Sequence, residues 1–524
     1  MFYNRDIDSK TRDGLFTHLQ ADPTTRRLVS TSMERASGVL MPISSLPGPY
    51  GIGGFGWNAY DFVDFLASCK QHYWQILPLT TTSYGDSPYQ SFSARAGNPN
   101  FIDFAELIEA GYLEQCDIDG VYLGSDLSNV DYGAIFSGRR QILDRAAERF
   151  VSNKPADFDD FVQANEDWLI PYCEFMTVKE ECGLKAFWEW PAELRTRGEA
   201  SAKVCAAHPA RMLYHQMTQY FFDRQWSRLK AYANERDILI IGDLPIYVSR
   251  DSVEMWASPE LFKIDAAGNP VSVAGTPPDQ FSATGQYWGN PIYDWAHMEQ
   301  DGFSWWMRRL RAAGESFDVV RIDHFRGIES YWAIPAVNRT ARKGEWVKGP
   351  GMKLVNAIRK NFPDTDFIAE DLGFLTPEVQ QLVIDSGFPG MKVLEFAFDP
   401  REPSNYLPDR YPENAICYTG THDNETLIQW CEGIDAETDA YARSYLGITA
   451  EDDLADAIIE AGMQSKAQLF IMQMQDYLRL GRETRMNEPG RLLQSNWRWR
   501  MLPGAANEAL AQKIAGLTER SNRV

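Results

Sequence analysis

The feature that most constrains this chain is a series of short apolar runs that end in polar or acidic residues. Helical patterns or long loops separate these runs, which are Val39–Leu46, Tyr73–Leu79, Ile238–Val248, Phe317–Phe325, Asp366–Leu372, Met391–Phe398, Ala415–Thr421 and Asn496–Leu502. Strands that alternate with helices indicate a parallel sheet, and eight strands are enough to close a barrel. The sequence therefore predicts an α/β protein built on a (β/α)8 TIM barrel.

One connection, between Leu79 and Ile238, is much longer than a crossover needs. Apolar residues recur in it at four-residue steps, as is typical of helices: Ile142, Ala146 and Phe150, then Leu213, Met217 and Phe221. We therefore predict an inserted, mostly helical subdomain. The predicted division of the chain is an N-terminal extension over 1–36, a barrel over 37–79 and 237–524 with an active-site loop at about 249–315, and the insertion over 80–236.

Charge and cysteine usage exclude several classes of partner. The chain has 51 Lys plus Arg against 73 Asp plus Glu, a net charge of −22, which repels nucleic acids and anionic membrane surfaces. Seven cysteines without a C-x-x-C pair favour reduced thiols and signal no zinc site. No apolar run approaches the length of a membrane span, and the first residues do not resemble a signal peptide. We expect a soluble, cytoplasmic protein without nucleic-acid or membrane partners; the sequence identifies no protein partner.

A glycine cluster allows two interpretations. Gly51–Gly56 matches G-x-G-x-x-G after a predicted strand and before a helical stretch, as in dinucleotide-binding loops. However, prolines at 47 and 49 lengthen the turn, and the strand that ends at Leu79 is followed by threonines instead of a ribose-binding acid. We favour a glycine-rich loop at the barrel rim, where glycine permits positive φ and close backbone approach.

Carboxylates follow directly after four of the apolar runs: Asp243, Asp323, Glu370 and Asp423. Because the C-terminal ends of barrel strands converge on one face, these acids are expected to meet in one cleft. Structural ion pairing is the alternative for any single acid.

Three converging carboxylates suit glycoside chemistry, in which one acid attacks the anomeric carbon, a second protonates the leaving oxygen and a third hydrogen-bonds the sugar. Arg321 lies on the same strand face as Asp323, so its charge is expected to depress the pKa of that nucleophile. Glu370, with Asp371 beside it, is the better proton carrier. The histidines adjacent to two of the acids are expected either to contact a sugar ring or to pack structurally.

Several segments, in order over about residues 37–502, resemble the amylomaltases, or 4-α-glucanotransferases, of the α-amylase clan. The four signature regions are Ile241–Val248, Val320–Gly327, Ile368–Gly373 and Thr419–Asn424. Further matching stretches are Gly38–Gly56, Ser87–Gln90, Gly275–Pro291, Arg485–Gly490 and Asn496–Arg500.

The resemblance implies a (β/α)8 barrel with inserted, mostly helical subdomains and no C-terminal β-sandwich. By matching positions, it implies that Asp323 is the nucleophile, Glu370 the general acid/base and Asp423 the transition-state stabiliser. It also implies a set of substrate-binding residues: Tyr84, Ser87, Tyr89, Asp243, Asp279, Gln286, Trp288, Arg321, His324, His422 and Asn487.

The activity implied is transfer of α-1,4-glucan segments between maltooligosaccharide donors and acceptors, by a retaining double displacement that needs no metal or organic cofactor. The alternative is an α-1,4-glucan hydrolase of the same clan, in which water completes the second step. A catalytically silent glucan-binding protein is disfavoured because the chain keeps all three carboxylates, and an oxidoreductase because the acid expected after Leu79 is missing.

Overall fold

Eight parallel strands close into a barrel in the computed structural model, which describes residues 33–83, 85–278, 282–373, 375–401 and 404–524. The described strands, numbered in chain order, are β1 Ala36–Leu40, β2 Tyr73–Gln75, β3 Leu239–Leu244, β4 Ser272–Thr276, β5 Gln286–Pro291, β6 Val319–Ile322, β7 Ser330–Pro335, β8 Glu345–Lys348, β9 Asp366–Ala369, β10 Gly390–Val393, β11 Ala415–Tyr418 and β12 Leu469–Gln473. The barrel order is β1-β2-β3-β6-β9-β10-β11-β12, closed by β12 pairing with β1 from Ala36↔Leu469 to Leu40↔Gln473. The predicted TIM barrel is confirmed.

The predicted eighth strand, Asn496–Leu502, is wrong. The barrel is closed by β12, a five-residue apolar run with no acid at its end to mark it. Asn496–Leu502 instead begins in a turn, belongs to neither sheet and runs beside residues 128–130. There Trp499 forms an isolated antiparallel bridge with Asn129, and the Arg500 N–H donates to Ser128 O at 2.7 Å.

Helices cover the barrel and build the insertion. Their bounds are Trp57–Ser68, Phe104–Glu109, Gln115–Ile118, Tyr132–Phe150, Phe158–Ala164, Glu166–Glu181, Glu199–Ala207, Pro209–Asn234, Val253–Ala257, Trp295–Gln300, Ser304–Ser316, Arg326–Glu329, Met352–Asn361, Pro377–Ser386, Leu427–Gly433, Ala436–Leu446, Leu454–Gln464, Met474–Tyr477 and Glu508–Arg520. Across the described ranges, no helix combines the length and apolarity needed to cross a membrane.

The long helix Pro209–Asn234 belongs to the insertion and to the barrel at once. Its Trp226 packs on Phe55 at 5.4 Å between ring centroids and donates its indole N–H to Ser316 O at 3.0 Å. This end of the helix therefore serves as the crossover that returns the chain to β3. We propose that 80–236 is a helical subdomain anchored to the barrel by this shared helix.

A second sheet, which the sequence analysis did not predict, projects from the barrel face where the strands end. It is antiparallel, with the order β5-β4-β7-β8. Trp332 of β7 faces Trp346 of β8 across the strands, with ring centroids 5.3 Å apart. Because β5 contains Gln286 and Trp288, this sheet carries part of the predicted substrate loop.

The glycine cluster is a packed rim loop, as predicted. Gly51 has φ +82°, and a Cβ on Gly53 would lie 2.0 Å from Ile43 O. Its glycines therefore serve close backbone packing.

A buried lysine joins the insertion to the barrel loops. Lys179, on helix Glu166–Glu181, donates to Asp251 Oδ2 at 2.6 Å and to Lys185 O at 2.9 Å. The Lys179 side chain is only 2% exposed, and its ammonium lies 4.7 Å from the Phe92 ring centroid. Since Phe92 follows the Ser87–Gln90 stretch closely, this contact holds the wall of the cleft.

We expect Lys179→Ala to lower the free energy of unfolding by about 3 kcal/mol, because it leaves the largely buried Asp251 carboxylate without its cation. Urea denaturation measures this. The matched control is Lys203→Ala, which removes an ion pair with Glu199 whose side chains are both exposed and should change little. Equal effects of the two substitutions would contradict the anchoring role of Lys179.

Candidate active site

The guanidinium of Arg321 hydrogen-bonds two of the acids at the strand ends. Arg321 Nη1 donates to both carboxylate oxygens of Asp243 at 2.6 Å and to Asp323 Oδ1 at 3.1 Å. Glu370 and Asp423 are close enough for their charges to act on Asp323. The structure thus brings the four strand-end acids into one cleft.

The acids differ in their access to a ligand. The side chain of Asp243 is 0% exposed and that of Arg321 4%, whereas Asp323 is 26% exposed. Asp243 therefore anchors the guanidinium from below, and Asp323 presents its carboxylate to the cleft.

The pKa of Asp323 does not follow the sequence expectation. Burial raises the pKa of this carboxyl well above its ordinary value, and the Arg321 guanidinium only opposes that rise. Three neighbouring carboxylates raise the pKa further, namely Asp243, Glu370 and Asp423. Arg321 lowers the pKa of Asp323 as expected, but the net direction is upward because burial is the larger effect.

Glu370 is held by two backbone amides. The His324 N–H donates to its Oε2 and the Leu372 N–H to its Oε1, both at 2.7 Å. Burial raises the pKa of Glu370, Arg321 and the two amides lower it, and Asp371 raises it again, for a net rise. The charge of Glu370 also raises the pKa of Asp323, so ionising one of these carboxyls disfavours ionising the other.

Asp423 lies in the turn after β11 and is held from the chain beyond β12. Asn487 donates its side-chain amide to Asp423 Oδ1 at 2.6 Å, and Arg485 Nη2 donates to the Asp423 carbonyl at 3.0 Å. Asn487, predicted to bind substrate, therefore contacts a predicted catalytic acid directly. Arg485 was not among the predicted site residues, although it lies in one of the matching stretches.

Tyr89 links two of the predicted residues. Its hydroxyl donates to Asp243 Oδ2 at 2.6 Å and lies 2.9 Å from His422 Nε2. The Tyr89 and His422 rings stack at 5.2 Å, and Trp497 packs on both, at 5.8 and 6.0 Å. Burial lowers the pKa of His422, so its imidazole is neutral at pH 7. Ser87 accepts the Tyr89 N–H at 3.3 Å.

Trp497 was missed as a site residue. It belongs to the segment predicted as the eighth strand, and the sequence analysis assigned it no role in the site. Its contacts with the Tyr89 and His422 rings could not be predicted from local spacing, since Tyr89 is about four hundred residues away in the chain.

The rings of His324 and Trp288 are in contact beside Asp323. Their ring centroids lie 4.8 Å apart, edge to face, and Trp288 Nε1 donates to Gln286 Oε1 at 3.1 Å. Burial and the Arg326 charge lower the pKa of His324 to about 3, so this ring is also neutral. Of the predicted loop residues, Trp288 therefore contacts His324, the residue next to Asp323, and Gln286 is hydrogen-bonded to Trp288.

Two predicted residues, Tyr84 and Asp279, lie outside the residues that the structure describes. Within the described ranges, no cluster of three or more His, Cys, Asp or Glu side chains is placed to hold a metal ion.

Comparison with known proteins identifies close relatives of this chain. A family model described as 4-alpha-glucanotransferase matches residues 41–505. A 4-alpha-glucanotransferase of Streptococcus pneumoniae is 50% identical over 495 residues, which cover 94% of this chain and 98% of that protein. One from Thermus thermophilus is 44% identical, covering 94% and 100%. A solved structure, an amylomaltase from Streptococcus agalactiae in complex with acarbose, superposes with a TM-score of 0.91 at 43% identity, covering 94% of this chain and 100% of that one.

We expect Tyr89→Phe to lower the free energy of unfolding by about 1–3 kcal/mol, because the largely buried Asp243 and His422 each lose a hydrogen-bond partner. Tyr445→Phe is the matched control, since it removes a hydroxyl bonded to the exposed Asp409. Denaturant titration of the two variants measures the difference. If the two cost the same, the hydroxyl of Tyr89 does not organise the site.

Proposed function

This chain belongs to the 4-alpha-glucanotransferase family, and we propose that Asp323, Glu370 and Asp423 perform its reaction. The enzyme transfers segments of α-1,4-glucan from one glucan to another. The observation that carries the assignment of residues is the contact of Arg321 with Asp243 and Asp323, which leaves Asp323 as the accessible carboxylate beside Glu370.

In the first displacement, a carboxylate oxygen of Asp323 attacks the anomeric carbon of the donor. The bond to the departing 4-oxygen breaks, and Glu370 gives that oxygen its proton. Burial raises the pKa of both carboxyls, and the hydrogen bond from Arg321 favours the ionised form at Asp323. The step proceeds from the state in which Asp323 is ionised and Glu370 carries the proton. The product is a β-linked glucosyl ester on Asp323 and a free, shortened glucan.

In the second displacement, the 4-hydroxyl of an acceptor glucan attacks the same carbon. Glu370, now ionised, takes the proton of that hydroxyl, and the ester bond to Asp323 breaks. Two inversions return the α configuration. Asp423, fixed by Asn487 and Arg485, would hydrogen-bond the sugar as positive charge develops at its ring.

The remaining residues divide between the two sides of the scissile bond. We assign the donor sugar to a set of buried polar and aromatic groups: Asp243, Arg321, His324, His422, Ser87 and Tyr89. Trp288 and Gln286 on β5, with Asp279 and Tyr84, belong to the acceptor side. The neutral imidazoles of His324 and His422 offer hydrogen bonds to sugar hydroxyls without adding charge.

We further propose maltooligosaccharides as both donor and acceptor, and the cytoplasm as the place of action. The seven cysteines are all unpaired, and four of them are buried, which suits a reducing compartment. Incubation with maltotriose alone tests the substrate: transfer produces glucose and a ladder of longer chains. Glucose and maltose without longer products would indicate the hydrolase instead.

The role of Glu370 makes the effect of its loss depend on the donor. We expect Glu370→Gln to slow transfer from maltotriose about 100-fold or more, yet to form the ester rapidly from an α-glycosyl fluoride, whose leaving group needs no proton. Burst kinetics with each donor measure this. The control is Glu378→Gln, an exposed glutamate on the next helix. If the rate falls equally with both donors, Glu370 is not the general acid.

Trp288 is expected to help an acceptor sugar compete with water. Aromatic stacking contributes about 0.5–1.5 kcal/mol beyond area burial, which water does not gain. Trp288→Ala should therefore lower transfer more than hydrolysis and raise the fraction of free glucose, as product analysis would show. Trp57→Ala, on the outer face of the first barrel helix, is the control. A proportional fall in both rates would mean that Trp288 only supports its loop.

A further inference from the structure

A second group of acids, which the reaction above does not use, lies beneath the turn that carries His422 and Asp423. Its central member is Glu395, in the short 3-10 turn Leu394–Phe396 that follows β10. Glu395 is 9% exposed, so it is a buried carboxyl at a strand end, as are the catalytic acids, but directed under the turn.

Glu395 touches the turn through its backbone and its side chain. Its N–H donates to Thr419 O at 3.3 Å. Its carboxyl lies directly against Gly420, since a Cβ on that glycine would be 2.5 Å from Glu395 Oε1. Within the described chain, that oxygen is buried without a hydrogen-bond partner. Gly420 is therefore required because the carboxyl occupies the space a side chain would need.

Two neighbours of Glu395 fix the ends of the same turn. Asp476 accepts the Thr419 hydroxyl at 2.6 Å and the Leu427 N–H at 2.8 Å. Gln473 Nε2 donates to Glu425 O at 3.1 Å. The turn is thus tied at residues 419, 425 and 427, while at Gly420 it rests on the carboxyl of Glu395.

We propose that Glu395 is a positioning residue for the transfer reaction: held as a neutral carboxylic acid, it fills the space beneath Gly420 and sets the position from which the turn presents His422 and Asp423. The inference rests on the role proposed for Asp423. A neutral acid fits because the nearest cation, Arg485, already binds the Asp423 carbonyl and lies 3.6 Å from Glu425 Oε1. An ionised group would be left with a buried, unpartnered oxygen.

The surrounding charges support the neutral form. Burial raises the pKa of Glu395 well above its ordinary value, and the nearby acids Asp476 and Glu425 raise it further. Arg485 and the backbone amide of Glu425 oppose the rise in pKa without cancelling it. Burial also raises the pKa of Asp476, to about 6. The titratable and charged groups that face this site are Asp476, Glu425, Arg485, Cys431 and, beyond Asp476, Arg479.

The raised pKa of Glu395 determines the direction in which the stability of the protein changes with pH. An unfolded glutamate ionises near pH 4.3, whereas the folded chain keeps its proton on Glu395 at higher pH. The folded state therefore binds more protons above that value, and the stability contributed by this group falls as pH rises towards its folded pKa. Glutamine, which is isosteric and cannot ionise, should remove that dependence.

Two substitutions at Glu395 test the proposal. Glu395→Gln should keep kcat for maltotriose transfer within about twofold at neutral pH, and its stability relative to the wild type should grow as pH is raised. Glu395→Ala should lower kcat about tenfold or more through misplacement of Asp423, with KM changed much less. Glu451→Gln, at an exposed glutamate, should alter neither.

A double-mutant cycle with Gly420→Ala keeps the test decisive even if Glu395→Ala folds poorly. The new methyl group collides with Glu395 Oε1, so Gly420→Ala alone should lower kcat. Removing the carboxyl makes room for that methyl group, and Glu395→Ala with Gly420→Ala should be more active than Gly420→Ala alone. Additive losses, or full activity of Glu395→Ala, would overturn the positioning role. If Glu395→Gln lowers kcat as much as Glu395→Ala does, the proposal that Glu395 acts as a neutral acid is overturned.

Asp423→Asn separates failure of this inference from failure of the proposed function. If Asp423→Asn remains active, the role of Asp423 is wrong whatever Glu395 does. If Asp423→Asn is inactive while the Glu395 variants have the kcat of the wild type, only the positioning role of Glu395 is wrong.

Discussion

The buried guanidinium of Arg321 is the interaction on which the site depends. One of its nitrogens contacts Asp243 and Asp323 together, so a single cation balances charge that would otherwise drive the strand-end acids apart or force them to take up protons. Asp243 is enclosed and Asp323 is open to the cleft. The guanidinium is therefore anchored on one side by Asp243 and bonded on the other to Asp323, the carboxylate that we propose reacts. One cation serves several acids, and the pKa values of Asp323 and Glu370 are both raised. A double displacement by these two acids needs the proton on Glu370.

Support for the site comes from parts of the chain far apart in sequence. Glu370 is oriented by amides at residues 324 and 372, and Asp423 by Asn487 and Arg485. Tyr89, from the connection after β2, reaches across to Asp243 and His422. Closure of the barrel makes these contacts possible, since pairing of β1 with β12 brings the first and last thirds of the chain to one rim. Catalytic placement is thus a consequence of topology.

The sequence predicted those features that depend on local pattern. Short apolar runs marked seven of the eight strands, and the acids that follow four of them marked the proposed catalytic face. The eighth, Leu469–Gln473, was missed because no acid directly follows it. The aromatic run Asn496–Leu502 resembles a strand, but it lies outside both sheets, with Trp499 in an isolated bridge to Asn129. The net pKa direction of Asp323 was also missed. It depends first on the burial of this carboxyl and then on the charges of acids from other strands, and neither can be seen from the spacing of residues on one strand.

If Asp323 is the group that attacks, the covalent ester forms on its side chain. Glu370→Gln enzyme can be treated with α-maltotriosyl fluoride, quenched in acid, digested and analysed by mass spectrometry. We expect a glycosyl group on the peptide that contains Asp323, localised to that side chain by fragmentation and absent from Asp323→Asn,Glu370→Gln enzyme. A glycosyl group on Asp243 or Asp423, or one that persists after Asp323 is replaced, would show that Asp323 is not the nucleophile.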